Sequence, residues 1–502
     1  MAILPSSLQA LPLPNVLQSI AILSTLLILI PLLILLYNLT LHPLATYPGP
    51  LTHRSSRLSW VLALQRGTLH ADLLALHNTY GPIVRVAPNE LSYTDPQAWK
   101  DIYLNPRIAR ADLWFRKQDP KEPYSIMGAN EEAHARFKRA FMGGFSEMAV
   151  RECSVTMEGY VSKMMGMLRQ QEVVDLVQWL NMVTFDVSGD LSFGSSFGST
   201  VAGKPHEWVE ISNSFGVGIA LMASLNHYHL GLMKLLKRVI PARTRERMLW
   251  HKQLTHEKVG ERLRMEGTRR DFVQCVLDYN RERSTQEKGR VCTPEEIELN
   301  MSVLVFAGSE TTSTALASTL WYLLRDREWL DRVVQEVRQT FSQEEDIQMV
   351  TTSKMPILNA VISEGMRLGP PSAISVPRIV GKGGEVVCGK RVPEGTLLAM
   401  NQYAVFRSAS NFPSPHTFDP SRFMGEAAEK SSASFYPFLL GRHGCIGEKF
   451  AWAEMRVILA RLFFNFDVSL TDTSSSTIKD WGEQKTFIFW QKEQLEVKLK
   501  AV

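Results

Sequence analysis

The chain has 502 residues, of which 45% are hydrophobic, and this is ample for a large buried core in one domain or several. Its 55 Lys and Arg residues against 51 Asp and Glu leave a net charge of +4, which is too small to indicate a nucleic-acid partner. The five cysteines are an odd number without paired spacing, so they argue against a disulfide framework and a zinc site and indicate a reducing compartment for the bulk of the chain.

An uncharged apolar run lies near the N-terminus, from Val16 to Leu36. It has the length of ~20 residues that a membrane-spanning helix needs, so we predict an anchor over 16–37 with 1–15 on the lumenal side. A cleaved signal peptide and a buried helix are the alternatives, but a signal peptide has a basic n-region and Met1 to Asn15 contains no Lys or Arg. The first charges after the run, Arg54 and Arg57, place the downstream chain in the cytosol by the positive-inside rule.

A proline-rich hinge is predicted over 38–50, followed by one large domain over 51–502 without repeats or a long linker. Helical periodicity dominates this domain, and the fold class is therefore mainly α with small β-sheets. The strand-like patches are short and lie early and late in the chain: Ile83 to Val86, Glu385 to Val392, Thr396 to Met400 and Phe487 to Trp490.

The clearest helix signal starts at Thr293, an N-cap followed by Pro294 and by Glu296 at the third helical position. The helix is predicted to run to about Arg325 and to be buried, because its middle is apolar and small. Two features interrupt that pattern, Ala307-Gly308 and Glu310-Thr311-Thr312. Taken alone, they favour a close helix crossing at the glycine, with the hydroxyl groups bonded back to their own backbone.

One cysteine, Cys445, lies among the glycines 441, 444 and 447 just before a segment that reads as a helix through Arg456. A helix N-terminus favours the thiolate, and glycines allow the backbone to approach a flat ligand. A single cysteine does not hold zinc or an iron–sulfur cluster by itself, so haem with one axial thiolate is the metal hypothesis that fits. A buried cysteine in a glycine-rich turn is the alternative.

The segment from Phe438 to Ala451 resembles the haem-binding signature FxxGxRxCxGxxxA of the cytochrome P450 superfamily, with His443 where the family usually has Arg and Arg442 one residue earlier. Further family motifs follow the same chain order: AGSETT at 307–312, ExxR at 364–367 and PxRF at 420–423. Two segments, 37–44 and 185–194, are similar to fungal biosynthetic members. The resemblance covers essentially the whole chain and implies a cytochrome P450 fold behind one N-terminal transmembrane helix.

The resemblance also implies roles for single residues. Cys445 is the expected axial ligand of the iron of haem b, and Glu310 and Thr311 are the expected catalytic proton relay. Glu364, Arg367 and Arg422 are expected to form a buried network behind the haem. The other expected cofactor contacts are Phe438, Arg442, His443, Gly447, Arg378, His134 and Lys138. For His134 and Lys138 a solvated basic helix face is the alternative.

An apolar substrate pocket is inferred by position, with plain core as the alternative for each of its residues. The residues concerned are Phe306, Ala307, Ala373, Val376 and Ile488. Between Ser212 and Arg247 an apolar run is mixed with Lys234, Lys237, Arg238, Arg243, Arg245 and Arg247. This segment is interpreted as a second membrane contact or as a solvated helix face.

The expected function is a monooxygenase of the endoplasmic reticulum membrane, single-pass with a cytosolic catalytic domain, that uses O2 to oxidise an apolar terpenoid or polyketide-derived intermediate. No flavin or dinucleotide fingerprint is present, so the resemblance implies NADPH-cytochrome P450 reductase as electron donor, with cytochrome b5 as a further partner. The reductase is expected to meet Arg442, Lys449 and Arg456. An isomerase or dehydratase without external electrons and a non-catalytic haem-binding membrane protein are the alternatives.

Overall fold

The structure is a computed structural model that describes residues 13–117, 119, 121–228, 241–265, 269–283, 291–473 and 478–502. Its helices are α1 (Leu13–Thr40), α2 (Leu51–Ser55), α3 (Leu58–Arg66), α4 (Leu69–Tyr80), α5 (Gln97–Tyr103), α6 (Glu131–Met142), α7 (Glu147–Glu152), α8 (Ser154–Leu168), α9 (Leu176–Phe193), α10 (Ser199–Ala202), α11 (Glu207–Asn226), α12 (Ala242–Arg264), α13 (Phe272–Arg283), α14 (Pro294–Leu323), α15 (Arg327–Thr340), α16 (Met349–Thr352), α17 (Pro356–Leu368), α18 (Gln402–Phe406), α19 (Gly425–Ser432) and α20 (Glu448–Asn465).

Short strands form three small sheets beside these helices. The strands are β1 (Ile83–Ala87), β2 (Glu90–Tyr93), β3 (Ile108–Arg110), β4 (Val173–Asp175), β5 (Arg378–Val380), β6 (Glu385–Val387), β7 (Lys390–Val392), β8 (Leu397–Ala399), β9 (Phe466–Leu470) and β10 (Glu496–Ala501). The largest sheet has the order β1-β2-β8-β5-β3, in which only the β2–β8 pair is parallel. The second sheet has the antiparallel order β4-β10-β9, and β6 pairs with β7 as a hairpin. The prediction of a mainly α fold with small β-sheets is confirmed.

The strand expected from Phe487 to Trp490 is wrong. Only an isolated bridge joins Thr486 to Trp490 there. The backbone turns back on itself, since the Phe487 N–H donates to the Phe489 carbonyl at 3.1 Å and Ile488 has a φ of +124°. A β-branched residue rarely adopts positive φ, so tertiary packing overrides the local strand preference at this position.

The N-terminal helix α1 is apolar and continues to Thr40, beyond the predicted end of the anchor at 37. Within the described residues its segment Leu17–Thr40 is long and apolar enough to cross a membrane, and its most apolar stretch is not buried against the protein, whereas Asn38 near its end is buried. Pro31 lies inside the helix, and Pro43, in the turn that follows, is the first proline after it. An apolar helix that the protein itself leaves uncovered is suited to membrane anchoring.

The long helix α14 positions the centre of the molecule. Its N-terminus is a capping box, in which the Thr293 hydroxyl accepts from the Glu296 N–H at 3.2 Å and the Glu296 carboxylate accepts from the Thr293 N–H at 3.0 Å. The helix packs along α9 and α17. A Cβ on Gly308 would lie 2.8 Å from the Ser188 hydroxyl of α9, so the expected close crossing is present at that glycine.

Candidate active site

Cys445 lies in a short loop that leads into α20. Its backbone N–H donates to the Phe438 carbonyl at 2.8 Å, which closes the loop, and α20 begins three residues later at Glu448. The half-buried Phe438 ring lies 6.4 Å from the ring of Trp452 on that helix. The hydrogen bond and the ring contact hold the cysteine at the N-terminal end of α20, as the spacing of the motif predicts.

Gly441 and Gly447 of this loop are glycines for different structural reasons. Gly441 has a φ of +73°, and a Cβ there would collide with the Tyr103 carbonyl of α5, so the protein backbone itself requires a glycine. At Gly447 a Cβ would meet protein atoms only at 3.8–3.9 Å, one of them the Cys445 sulfur, which is ordinary contact. No protein neighbour therefore requires a glycine at 447. A flat group bound beside the sulfur would explain why this position is a glycine.

Cys445 is an exposed residue, yet enough protein surrounds its thiol for desolvation to be the largest influence on its pKa. This burial raises the pKa of the Cys445 thiol, while hydrogen bonds from the Gly447 and Glu448 backbone N–H groups and the positive charge of Lys138 oppose the rise. Lys138 on α6 also donates to the Arg442 carbonyl at 2.9 Å, so it is tied to the cysteine loop rather than lying on a purely solvated face. The protein thus supplies some stabilisation of a thiolate, and a bound cation would supply the rest.

Two histidines and a carboxylate meet beside this loop. Nδ1 of His443 lies 3.2 Å from Nε2 of His134, and Nε2 of His443 lies 3.1 Å from the carboxylate of Glu131. Burial lowers the pKa of His134 to about 3 and that of His443 to about 4, so both rings are neutral at neutral pH. Because the carboxylate accepts from His443 Nε2, the other His443 nitrogen is an acceptor and His134 is the donor between the rings.

Sequence reasoning paired His134 with His443 in one site but did not find Glu131. This carboxylate at the start of α6 also accepts from the exposed Arg442 guanidinium, with 3.1 Å between Nη1 and Oε2. The sequence signal that pointed to Glu131 was its position in the first turn of the helix that carries His134. Glu131 therefore aligns His443 and Arg442, the two residues that replace the usual arginine of the motif.

Arg378 on β5 supplies the main observation for the fit of a haem group. It is buried, and its Nε and Nη1 atoms have no hydrogen-bond partner among the described residues. Its guanidinium lies 4.9 Å from the centre of the Tyr103 ring, and burial lowers its pKa although Tyr103 and Glu131 oppose this shift. An unpartnered buried guanidinium is costly, and an anionic carboxylate is the group that such a donor pair matches.

Arg110 on β3 adds to this positive cluster and was missed by the sequence analysis. It donates to the carbonyls of Ile126 and Ala129, and burial with the nearby Arg378 lowers its pKa to about 10. A buried and a half-buried guanidinium group that destabilise each other suit the carboxylates of a haem. Cys445 supplies the thiolate that its iron takes. The residues present therefore fit a haem group.

The ExxR network is assembled behind the cysteine loop. Arg367 bonds to both carboxylate oxygens of Glu364 at 2.7 Å, and neither side chain is exposed. The remaining Arg367 donors bind the carbonyls of Phe406, Pro415 and Thr417. Arg422 Nε lies 3.5 Å from Glu364 Oε1, so the structure brings all three predicted residues together.

The middle of α14 is accessible on one side although the rest of its second half is buried. Phe306, Ala307, Gly308 and Thr311 are half-exposed, at spacings that put the last three on one helix face. The Thr311 hydroxyl donates to the Ala307 carbonyl at 2.6 Å, which is the expected bond back to the backbone. An accessible face within a packed helix lines an internal space.

The Glu310 side chain points towards Lys492 and not towards Thr311. Its carboxylate forms a buried ion pair with Lys492, with 2.7 Å between Oε1 and Nζ. Among the described residues no hydrogen bond joins Glu310 to Thr311. Sequence reasoning missed Lys492, which lies in an irregular segment far along the chain and carries no motif.

The predicted pocket residues divide into two groups. Phe306 and Val376 are half-exposed, and the Phe306 ring makes edge contacts with Phe489 and Phe215 at 4.8 and 5.8 Å between ring centres. Ala373 and Ile488, in contrast, are buried within core clusters.

The predicted reductase contacts are already engaged within the protein. Lys449 is exposed and pairs with Glu147 at 2.9 Å. Arg456 is half-buried, stacks over Trp452 and donates to Asn359 at 2.6 Å.

Of the basic residues predicted for the second membrane contact, Arg243, Arg245 and Arg247 begin α12, and Lys234, Lys237 and Arg238 lie outside the described residues.

Comparison with known proteins identifies the family of the chain. The family model described as Cytochrome P450 matches residues 48–498. Cytochrome P450 monooxygenase astJ of Aspergillus oryzae is 38% identical over 481 residues and 93% of both chains. Averantin hydroxylase of Dothistroma septosporum and Trichothecene C-15 hydroxylase of Fusarium sporotrichioides are each 34% identical, covering 92% and 93% of this chain and 88% and 95% of their own lengths.

The match spans nearly all of the chain after α1, including the cysteine loop and α14. Members of this family carry a thiolate-ligated haem, and as monooxygenases they need O2, an organic substrate and a redox partner. The chain belongs to the cytochrome P450 family and is a haem-thiolate monooxygenase.

Proposed function

We propose that this protein inserts one oxygen atom of O2 into an apolar terpenoid or polyketide-derived intermediate in fungal secondary-metabolite biosynthesis. The observation that carries this proposal is the accessible face of α14, where Phe306 and Ala307 offer apolar surface beside Thr311. The hydroxylases of averantin and of trichothecenes among its relatives support a natural product as the substrate class.

The cofactor in this proposal is haem b, which supplies oxygen activation when bound. Cys445 would ligate its iron, with the Gly447 and Glu448 N–H groups directed at the sulfur. Arg378 and Arg110 would bind the two carboxylates of the group. His134 and His443 would donate to it after giving up their present bonds to each other and to Glu131. Phe438 and Gly447 would border its flat face, and Lys138 would keep the charge near the sulfur positive.

The chain's own residues would control water and protons. Phe306 and Phe489 close one side of the accessible face with their edge contact, which limits water entry. The Thr311 hydroxyl, whose oxygen lies 2.6 Å from the Ala307 carbonyl oxygen to which it donates, would pass a proton into the space beside α14 by turning away from that carbonyl. Glu310, the acidic group one residue away, would replenish this proton after leaving its ion pair with Lys492.

Electrons would come from NADPH-cytochrome P450 reductase, with cytochrome b5 as a second donor. Arg442 and Lys449 remain exposed on the side of the cysteine loop and would meet an acidic partner surface, in exchange for their present pairs with Glu131 and Glu147. A reduction rate that is insensitive to salt would contradict this contact.

The proposed location is the endoplasmic reticulum membrane, with a single pass and a cytosolic catalytic domain. Residues 1–15 would lie in the lumen, the predicted anchor 16–37 would cross the membrane, and 51–502 would form the catalytic domain after the proline-rich hinge. Arg54 and Arg57, the first charged residues after the apolar helix, support this orientation.

The test is the absorption spectrum of the dithionite-reduced, carbon-monoxide-bound protein in membranes, beside Cys445→Ala. A strongly red-shifted Soret band that is lost in the variant is the expected result, followed by product formation that requires both NADPH and the reductase. A band typical of histidine-ligated haem would overturn the proposal. Turnover without external electrons would instead indicate an isomerase or dehydratase.

A further inference from the structure

Glu131 is the first residue of α6, and its carboxylate accepts hydrogen bonds from three directions. Nε2 of His443 lies 3.1 Å from Oε1, Nη1 of Arg442 lies 3.1 Å from Oε2, and the backbone nitrogen of Arg110 lies 3.5 Å from Oε1. The first turn of a helix also favours a carboxylate at this position. One side chain therefore joins α6 to the cysteine loop and to β3.

These bonds use hydrogen-bond donors that a haem carboxylate would need. A neutral imidazole has one N–H, and that of His443 is given to Glu131 while that of His134 is given to His443. Neither histidine therefore has a donor left for a bound carboxylate. Where the signature usually has an arginine with five N–H donors, this chain has a single donor that is already engaged.

The charge of Glu131 is the second part of this competition. Burial alone would raise the pKa of Glu131, but the hydrogen bond from His443 and the charge of Arg442 outweigh it and lower the pKa, so the carboxylate is ionised at neutral pH. Its charge also raises the pKa values of Arg110 and Arg378 against the effect of burial. Two haem carboxylates would thus share these cations with a third carboxylate that belongs to the protein.

Glu131 has room to move away from His443. Its side chain is 39% exposed and lies on the wall of a cavity of about 750 Å³. The same wall carries Arg116 and Lys117 as well as Asp112. A carboxylate that leaves His443 therefore enters a polar space in which water and cationic side chains can solvate it.

We propose that Glu131 is a positioning residue that stands in for a haem carboxylate at His443 and moves into this cavity when haem binds. The displaced charge stays close to the cofactor, where it repels the two haem carboxylates and opposes the additional electron of the reduced state. Glu131 therefore limits haem retention and holds the reduction potential low. This inference rests on the proposed role of His443 as a haem contact.

The first test is the rate of haem loss from the ferric holoenzyme to an acceptor apoprotein. Glu131→Gln removes the competing charge, so haem loss should become about fivefold slower. A carboxylate that only tied α6 to the cysteine loop would give the opposite sign, because its removal would loosen the loop and speed haem loss. The matched control is Glu132→Gln, which removes the same charge from the next, exposed residue of α6 and should leave the rate unchanged.

The midpoint reduction potential of the same variants is a second readout, and a residue that served only the packing would not move it in a fixed direction. Glu131→Gln should shift the potential to a more positive value, because a negative charge beside the haem is removed. Glu132→Gln should shift it less. Equal shifts in the two variants, or faster haem loss in Glu131→Gln, would overturn the proposal.

His443→Arg tests the same idea without changing the carboxylate, so it decides the question if Glu131→Gln does not fold. Arginine has enough donors for both Glu131 and a haem carboxylate, and haem loss should therefore become slower. An unchanged or faster rate would show that donors are not limiting and would overturn the proposal. These measurements follow the haem alone, so slower haem loss without product formation in the presence of NADPH and reductase would overturn the proposed function and leave this inference standing.

Discussion

Glu364 and Arg367 form a bidentate ion pair in which both hydrogen bonds are 2.7 Å long and neither side chain is exposed. Breaking such a pair leaves a buried charge without a partner, which costs about 3–5 kcal/mol. We therefore expect Glu364→Gln to lower the chemical unfolding midpoint strongly and to reduce haem retention. The control Asp331→Asn breaks the exposed pair with Arg327 and should change stability by less than about 1 kcal/mol. Equal effects of the two variants would contradict the structural role of the network.

Arg378 should matter for haem binding rather than for folding of the polypeptide. Two of its nitrogens have no partner among the described residues, so Arg378→Met removes few internal hydrogen bonds. We expect haem loss to an acceptor apoprotein to become at least about tenfold faster, because a charge-assisted pair with a haem carboxylate is lost. As a contrast, Arg85→Met removes a buried arginine that is bonded to the Pro88 and Asn38 carbonyls and should affect stability instead. An unchanged rate of haem loss in Arg378→Met would count against the assignment.

Thr311→Ala should uncouple the reaction. The variant removes the hydroxyl at the accessible face of α14, so a larger share of NADPH electrons should appear as hydrogen peroxide instead of product. The matched control is Thr319→Ala, because Thr319 makes the same bond to the carbonyl four residues earlier but is fully buried. Coupling that stays at the wild-type value in Thr311→Ala would remove Thr311 from the proton path.

The apolar helix α1 should account for most of the membrane binding. Deletion of residues 1–40 removes all of it, and the protein should then move from the membrane pellet towards the supernatant after cell lysis. Residual membrane binding that is lost after Arg243, Arg245 and Arg247 are changed to Gln would support a second contact at α12. Residual binding that is unaffected by these changes would assign it to another surface.

The buried residue His77 makes stability depend on pH. Its Nδ1 lies 2.9 Å from the Gly81 carbonyl and its Nε2 lies 2.8 Å from the Ser92 hydroxyl, while burial lowers its pKa from 6.5 to about 4. Between these values the unfolded chain binds a proton that the folded protein does not, so stability should fall as the pH drops from 6.5 to 4. His77→Gln should flatten this part of the profile of unfolding midpoint against pH. An identical slope in the variant would show that other groups cause it.

Features that depend on the local order of residues can be read from the sequence. The apolar run, the capped start of α14 and the cysteine loop can be read from composition, spacing and turn residues, because helix caps and amphipathic patterns are properties of neighbouring residues. The same motifs, in their order along the chain, identify the family. The close helix crossing at Gly308 was also foreseeable, since a glycine in a buried helix needs a packing reason.

Which charged groups meet depends on the packing of the folded chain. Glu310 and Lys492 are 182 residues apart, and Glu131 and His443 are 312 residues apart, so no periodicity or motif connects them. Whether a carboxylate serves as a free acid or as half of a buried pair depends on the surrounding dielectric and on the nearest counter-charge, and both follow from packing. Tertiary contacts likewise replaced the expected strand at Ile488 with a strained turn and set Gly441 against the Tyr103 carbonyl.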